Sequence, residues 1–441
     1  VLKLLVAPDD LDFLRSLARA AIASATVAPG HCVGRAKSVD EASAASRAAA
    51  IVNTLGFAAI RPGGRMCYPA IWTQDFTMTY ASGLVDRGVG LAHLRLIASR
   101  QNGPAPRRLQ KNAVIPPHAV PDHINFDGSP VFFPGTYSAG DDQGGEPWGL
   151  HPPLNNYFDL IWLAWMLCRQ EPASAGALLR EEIDGLSLIR RLQLAFDAVP
   201  VDAQTQLAAT HPDQRAVDMI FRDSVYMTGK LLFPSMQRYR ACGHLLDLYA
   251  MLGDPSPRTR LSSIRRAIAD SLPATLGPRP GRGWLRASTG VSGQDDVWGT
   301  LYALHLGLLD EATADAARCQ VVRASEDGTI LYLAAVRHVP TDADAAPLSA
   351  WERSISRHNR YQNGAFWHMP TGWLVSALAP VAPARAREVL AEYVAHMRQH
   401  DFRKGAEFGG PWECIGLQRE QWQNATFLPS ITMPLSALAD G

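Results

Sequence analysis

Six phrases hold the residues whose types could do chemistry. They are Ile71-Trp72-Thr73-Gln74-Asp75-Phe76, Glu146-Pro147-Trp148-Gly149, Phe221-Arg222-Asp223-Ser224, Gln294-Asp295-Asp296-Val297-Trp298-Gly299, Arg360-Tyr361-Gln362-Asn363-Gly364-Ala365-Phe366-Trp367 and Gly409-Gly410-Pro411-Trp412-Glu413-Cys414. Most of them set an aromatic ring beside a carboxylate or amide where a loop meets a helix. A sugar presents hydroxyls around its rim and C–H groups on its faces, so carboxylates, amides and aromatic rings together suit it. Carboxylates are also the groups that cleave a glycosidic bond.

Each residue has a purely structural reading as well. Asp75, Asp223 and Asp296 precede or open helices, where a carboxylate caps free backbone amides. Tyr361, Trp367 and Trp373 have the size and apolarity of core residues. Glu413 has no obvious helix to cap. His118, His123 and His151 share a long loop with Asp122 and Asp127, but their spacing fits no metal-ligand pattern. Thr228-Gly229-Lys230 lacks the first glycine and the preceding strand of a phosphate loop. No metal and no cofactor are expected.

The elements that must position these groups are mainly helical. Periodicity predicts helices over Asp9–Val27, Asp40–Leu55, Asp75–Leu84, Tyr157–Arg169, Ala175–Phe196, Leu231–Leu252, Arg260–Ser271, Asp296–Leu308, Glu311–Arg318, Thr371–Ala379 and Pro383–His400. Strand-like alternation is confined to short pieces such as Thr329–Val336. Long loops rich in Gly, Pro, Asp and Asn separate the helices, over Pro104–Pro153, Val199–Arg222, Gly277–Gln294, Pro340–Asn363 and Lys404–Asn424. Loops of such length generally carry function.

Composition bounds the rest. The 441 residues hold 42 Lys plus Arg against 42 Asp plus Glu, so no excess positive field exists to hold nucleic acid or an anionic membrane. The longest apolar run, Leu160 to Cys168, is too short to cross a bilayer. The six cysteines are scattered, with no Cys-x-x-Cys pair.

Taken in order, the phrases resemble the six-hairpin, or (α/α)6-toroid, glycosidase superfamily of glucoamylases, trehalases and processing α-glucosidases, over roughly residues 40 to 440. Ile71-Trp72-Thr73-Gln74-Asp75 is similar to the Trp-Thr-Arg-Asp motif that binds the terminal sugar, with Gln74 where Arg is often found. Asp223-Ser224-Val225 leading to Leu231, the run from Asp296 to Leu308, and Tyr361 through Trp373 resemble successive inner hairpins. Gly410-Pro411-Trp412-Glu413-Cys414, followed by the segment from Asn424 to Pro429, resembles the place of the general base.

The resemblance implies an all-α (α/α)6 toroid over 34–441, with an N-terminal helical segment, 1–33, packed on it and the long loops forming the active face. It implies an exo-acting, inverting glycoside hydrolase with Glu413 as base. Asp223 is the acid, with Asp142 and Glu146 as competitors. Trp72, Asp75, Asp142, Glu146, Trp148, Asp296, Trp298, Tyr361, Gln362, Asn363, Trp367 and Trp412 are the expected substrate contacts. The alternative on the same toroid is a sugar epimerase or polysaccharide lyase working through His358, His368 and Tyr361. A terpene cyclase built on Asp141, Asp142 and Glu146 would need magnesium, and a carbohydrate-binding relative would release no product.

Overall fold

The computed structural model describes residues 5–34, 51–64, 68–217, 220–290, 293–341, 349–351 and 353–440. Thirteen α-helices form among them: α1 (Pro8–Ala25), α2 (Thr73–Tyr80), α3 (Arg87–Ser99), α4 (Asn156–Gln170), α5 (Pro172–Arg180), α6 (Leu188–Ala198), α7 (Leu232–Leu252), α8 (Arg258–Leu276), α9 (Val297–His305), α10 (Glu311–Glu326), α11 (Thr371–Leu378), α12 (Pro383–Gln399) and α13 (Pro429–Asp440).

Burial sorts the helices into two kinds. Every residue of α2 is buried, as are eight of the nine in α9 and the first nine of α4, so these helices are enclosed on all sides. In α8 only Leu261, Ile264, Ile268, Leu272 and Leu276 are buried, one stripe at helical spacing, and α12 carries a similar stripe through Val389, Leu390, Tyr393 and Met397. The enclosed helices pack in chain order. Helix α2 lies on α4, α4 on α7, α7 on α9, α9 on α11 and α11 on α13, and α13 returns to α2. The others cover them from outside: α3, α5 and α6 on α4, α8 on α7, α10 and α12 on α11, and α1 on α13. Glycines permit the closest approaches. A Cβ at Gly90 of α3 would overlap the Tyr80 ring, and one at Gly372 of α11 would overlap Ala437 of α13.

The sequence expectations meet this arrangement closely for most helices, with three departures. Ala175–Phe196 is not one helix. Asp184-Gly185, both with positive φ (46° and 77°), turns a hairpin between Glu182–Ile183 and Leu186–Ser187, splitting the segment into α5 and α6. Helices α3 and α13 were not expected, since Gly88 and Gly90 weaken one pattern and Pro429 and Pro434 the other. Asp86 compensates at the start of α3 by accepting from Gly88 N at 2.7 Å. The helix expected over Asp40–Leu55 lies largely outside the described residues, and Ile51–Val52 at its end is a strand.

Short strands of two or three residues pair antiparallel throughout the loops. The strand-like stretch Thr329–Val336 forms a hairpin of Leu331–Tyr332 against Ala335–Arg337, and Phe366–Trp367 adds a third strand.

Candidate active site

Glu413 lies on a two-stranded ladder formed by Trp412–Cys414 and Gln423–Ala425. Trp412 pairs with Ala425 and Cys414 with Gln423, which sets Glu413 opposite Asn424. The Asn424 amide donates to Glu413 Oε2 and, at 2.9 Å, to the Tyr68 hydroxyl. Tyr68 donates to Oε2 at 3.0 Å and Tyr361 to Oε1 at 3.2 Å. Three donors therefore converge on one carboxyl group that is 1% exposed. Burial pushes Glu413 up to about 8 against the opposing pull of those donors. All three donor residues hold a left-handed backbone, with φ of 45° at Tyr68, 45° at Tyr361 and 51° at Asn424. For tyrosine that conformation costs on the order of 1–3 kcal/mol, and such strain gathers where function fixes geometry.

Asp223 faces the same region from the segment before α7. The Gln362 amide donates to Asp223 Oδ1, while Gln362 Oε1 accepts from Ser224 N at 2.7 Å, so one side chain fixes both the carboxylate and its backbone. The neighbouring Arg222 forms a two-bond ion pair with Asp296, and neither side chain is exposed. Phe233 and Trp351 lie near the guanidinium at 5.3 and 5.2 Å. Asp296 also caps α9 by accepting from Gly299 N at 2.7 Å. Desolvation lifts Asp223 to about 6, opposed by the Gln362 bond.

Asp75 occupies the first turn of α2. Burial raises it well above the carboxylate range, and the charges of Glu413, Asp122 and Asp223 raise it further. The four carboxyl groups are thus within electrostatic reach of one another. Asp122 Oδ2 bonds His123 Nδ1 at 2.8 Å, and Asn156 donates to Asp122 Oδ1 at 3.3 Å. Strand Ala70–Trp72 pairs with His123–Asn125, and the Trp72 ring stacks on His123 at 4.2 Å. Gln74 ties the floor together by accepting from Asn155 at 2.9 Å and from Ile220 N at 2.7 Å. Asp75, Asn156 and Asp296 stand at the starts of α2, α4 and α9, while Asp223, Tyr361 and Glu413 stand in the segments that lead into α7, α11 and α13.

The expected contacts therefore separate into groups. Glu413, Asp223, Asp75, Tyr361 and Gln362 come together, with Trp72 at their edge. Trp367 stacks on Phe221 at 5.0 Å and tilts against Tyr361 at 5.4 Å, forming a wall. Trp298 is core, fully buried, stacked on His338 and donating to Val336 O at 3.2 Å. Asp296 serves Arg222 and α9. Asn363 spends its side chain on Ser349, Ala350 and Ser356, shaping the loop. Trp412 packs on Trp422 and Arg419.

The remaining three belong to another loop. Asp142 is exposed and accepts from Ser138 at 2.6 Å. Glu146 is paired through both oxygens with buried Arg215, and Trp148 packs over Gly135. His368, from the alternative reading, bonds Leu333 O through Nε2 and stacks on His396.

Sequence reasoning missed Tyr68, Asn424 and Asp122 as parts of the cluster. Asn424 was discoverable in principle, since a hairpin returning past Glu413 must set some residue opposite it. Tyr68 and Asp122 arrive through long-range packing that no local pattern encodes.

No model of a known protein family matches the chain, and no curated protein matches it. Solved structures do match. A wild-type glycosidase aligns at 14% identity with a TM-score of 0.54, covering 99% of this chain and 98% of its own. A GH63 mannosylglycerate hydrolase from Thermus thermophilus, in complex with glucose, aligns at 15% identity and TM-score 0.56, covering 96% of this chain and 99% of its own. A glycosidase variant in complex with glucose aligns at 14% identity and TM-score 0.54, over 99% and 98%. Likeness at such low identity is a likeness of fold, and over nearly its whole length this chain is similar in fold to these solved glycosidases.

Proposed function

We propose that the protein is an exo-acting, inverting glycoside hydrolase whose six enclosed helices and their outer partners form an (α/α)6 toroid, with 1–33 packed on a catalytic body of 34–441. The observation that carries this reading is the junction of two desolvated carboxyl groups, Asp223 and Glu413, in one electrostatic cluster with Asp75. In the proposed reaction Asp223 gives its proton to the glycosidic oxygen as the bond to the anomeric carbon breaks. Glu413 takes a proton from the water that attacks the opposite face. Tyr68, Tyr361 and Asn424 stabilise the ionised form of Glu413, and the positive charge that develops on the sugar ring favours it further. Asp75 accepts hydroxyls of the terminal sugar, Gln362 holds Asp223, and Trp72 and Trp367 offer apolar faces. Glucose in two of the structurally similar glycosidases supports a hexose as that terminal sugar.

Burial raises Glu413 to about 8 and Asp223 to about 6, so the pair retains a proton near neutral pH, as an acid and base working together require. The test is to incubate wild type and Glu413→Gln with a panel of glucosides and follow the first anomeric proton by NMR. The expected result is product of inverted configuration from wild type and none from the variant. Retention of configuration, or wild-type turnover by a folded Glu413→Gln, overturns the proposal.

A further inference from the structure

The cluster described above gathers at the N-terminal ends of the enclosed helices. A separate cavity of about 450 Å³ opens toward their other ends, lined from all six: α2, α4, α7, α9, α11 and α13. Helix α4 links the two regions, with Asn156 beside Asp122 at its start and Arg169 on the cavity near its end. Thirteen residues of helix separate them by about 20 Å.

The cavity's chemistry differs from that of the carboxylate cluster. Its walls carry the indoles of Trp162 and Trp165 and two guanidinium groups. Arg240 lies over Trp162 at 3.8 Å and Arg169 over Trp165 at 5.1 Å. Among the described residues, the contacts of both guanidiniums are with rings rather than with carboxylates. A guanidinium lying face-on to an aromatic ring keeps its N–H edge available, and that edge matches a carboxylate or phosphate in two-bond geometry. Asp159, whose carboxyl is in electrostatic reach of Arg240, accepts from Asn155 through Oδ2 at 2.9 Å, and its Oδ1 has no hydrogen-bond partner. Arg169 is in the last turn of α4, where a cation also suits the helix dipole. Arg240 has no such reason, since α7 runs on to Leu252.

Two further groups on the lining point to a ligand. The Tyr302 hydroxyl is buried, its residue 2% exposed, and has no hydrogen-bond partner. His244 Nδ1 is likewise unpartnered, while its ring stacks on Trp165 at 4.3 Å. Unpaired buried polar atoms are costly, and a fitting ligand would satisfy them.

We infer that this cavity is a second binding site, for a small organic anion whose carboxylate or phosphate meets Arg240, Arg169 and Tyr302 while an apolar body fits among the aromatic side chains of the lining, Trp162, Trp165 and Trp373. The site is independent of the hydrolytic cluster and of any role assigned to it.

The probe is phenyl phosphate, titrated calorimetrically into the full-length protein, with phenol and inorganic phosphate as single-feature controls. Saturable binding is expected, with each control weaker by about tenfold or more. Arg240→Met should weaken phenyl phosphate by about tenfold or more, and so should Arg169→Gln at the solvent-exposed rim, a change the fold tolerates readily. Glu413→Gln should bind as wild type does. No saturable binding, equal affinity in both arginine variants, equal affinity for phenol, or loss of binding in Glu413→Gln would each overturn the inference.

Discussion

Glu413 and Asn424 face each other across a two-stranded ladder, and the Asn424 amide donates directly to the Glu413 carboxyl. Because the φ of Asn424 is 51°, glycine fits its backbone without strain, so Asn424→Gly removes the amide's bonds to Glu413 and to the Tyr68 hydroxyl and leaves the ladder in place. Fewer donors leave the ionised form of Glu413 less stable. The pH–rate limb belonging to Glu413 should move upward from about 8, and kcat/KM at neutral pH should fall about 10- to 100-fold, the worth of one hydrogen bond to a charged group. An unchanged profile would show that the amide does not tune this carboxyl.

The pH dependence of kcat/KM should be bell-shaped, rising through about 6 and falling through about 8. A bell of this form follows whichever carboxyl is acid and whichever is base, because both assignments need one shared proton. Leaving-group chemistry separates them. A glycosyl fluoride needs little protonation, so Asp223→Asn should retain substantial activity on it while losing about 10²- to 10⁴-fold on an alkyl glycoside. Glu413→Gln should fail on both. Rescue of Glu413→Gln by the fluoride would reverse the two roles.

Stability of the free protein should decline as pH rises. A carboxyl whose folded value lies above its unfolded value binds the proton more tightly when folded. Its contribution is complete below the unfolded value and is lost as pH climbs through the folded one. For Glu413 that window runs from 4.5 to about 8, and Asp75 shifts in the same direction. Glu413→Gln, which never ionises, should therefore raise Tm at pH 8.5 relative to wild type and leave it nearly unchanged at pH 4. Thermal unfolding at both pH values measures this, and a lower Tm for the variant at pH 8.5 would contradict it.

Arg222 and Asp296 form a fully buried ion pair that anchors the segment carrying Asp223. Asp296→Asn removes the negative partner and leaves a buried cation uncompensated by it, which costs about 3–5 kcal/mol. Urea unfolding should show that loss. The double change Arg222→Met with Asp296→Leu should recover part of it, since two apolar groups leave no buried charge. Additive losses in the double variant would argue against the pair as the source.

Glu146 serves as counter-charge to buried Arg215. Glu146→Gln should leave the pH profile unmoved and act mainly on stability, whereas a general acid at this position would erase one limb. Steady-state kinetics across pH, with Tm alongside, distinguishes the two.

Much of the architecture was legible in the chain. Apolar residues at helical spacing identified most of the helices, because a helix against a core needs a stripe at its own period whatever lies opposite. The same local logic marked Glu413, Asp223, Asp75, Tyr361 and Gln362. Their phrases lie where loops feed the enclosed helices, and those ends meet in space. Local reading failed in α3, where Gly90 is kept because the Tyr80 ring of α2 lies against it, and in α13, where Pro429 takes the first helical position and needs no amide donor. It also overlooked Asp184-Gly185, a hairpin signal lying inside a helical pattern.

The sequence by itself determined which side chains have the chemistry and which segments are helical, since both depend on residue type and nearby spacing. Tertiary structure alone decided which carboxyls share a field. In the chain Asp296 reads as a substrate contact and Glu146 as a rival acid to Asp223, yet each is bound to a buried arginine, while Tyr68 and Asn424 arrive from 345 and 11 residues away to hold Glu413. Desolvation and charge coupling act through space, so the values that set these acids apart exist only once the helices have brought them together.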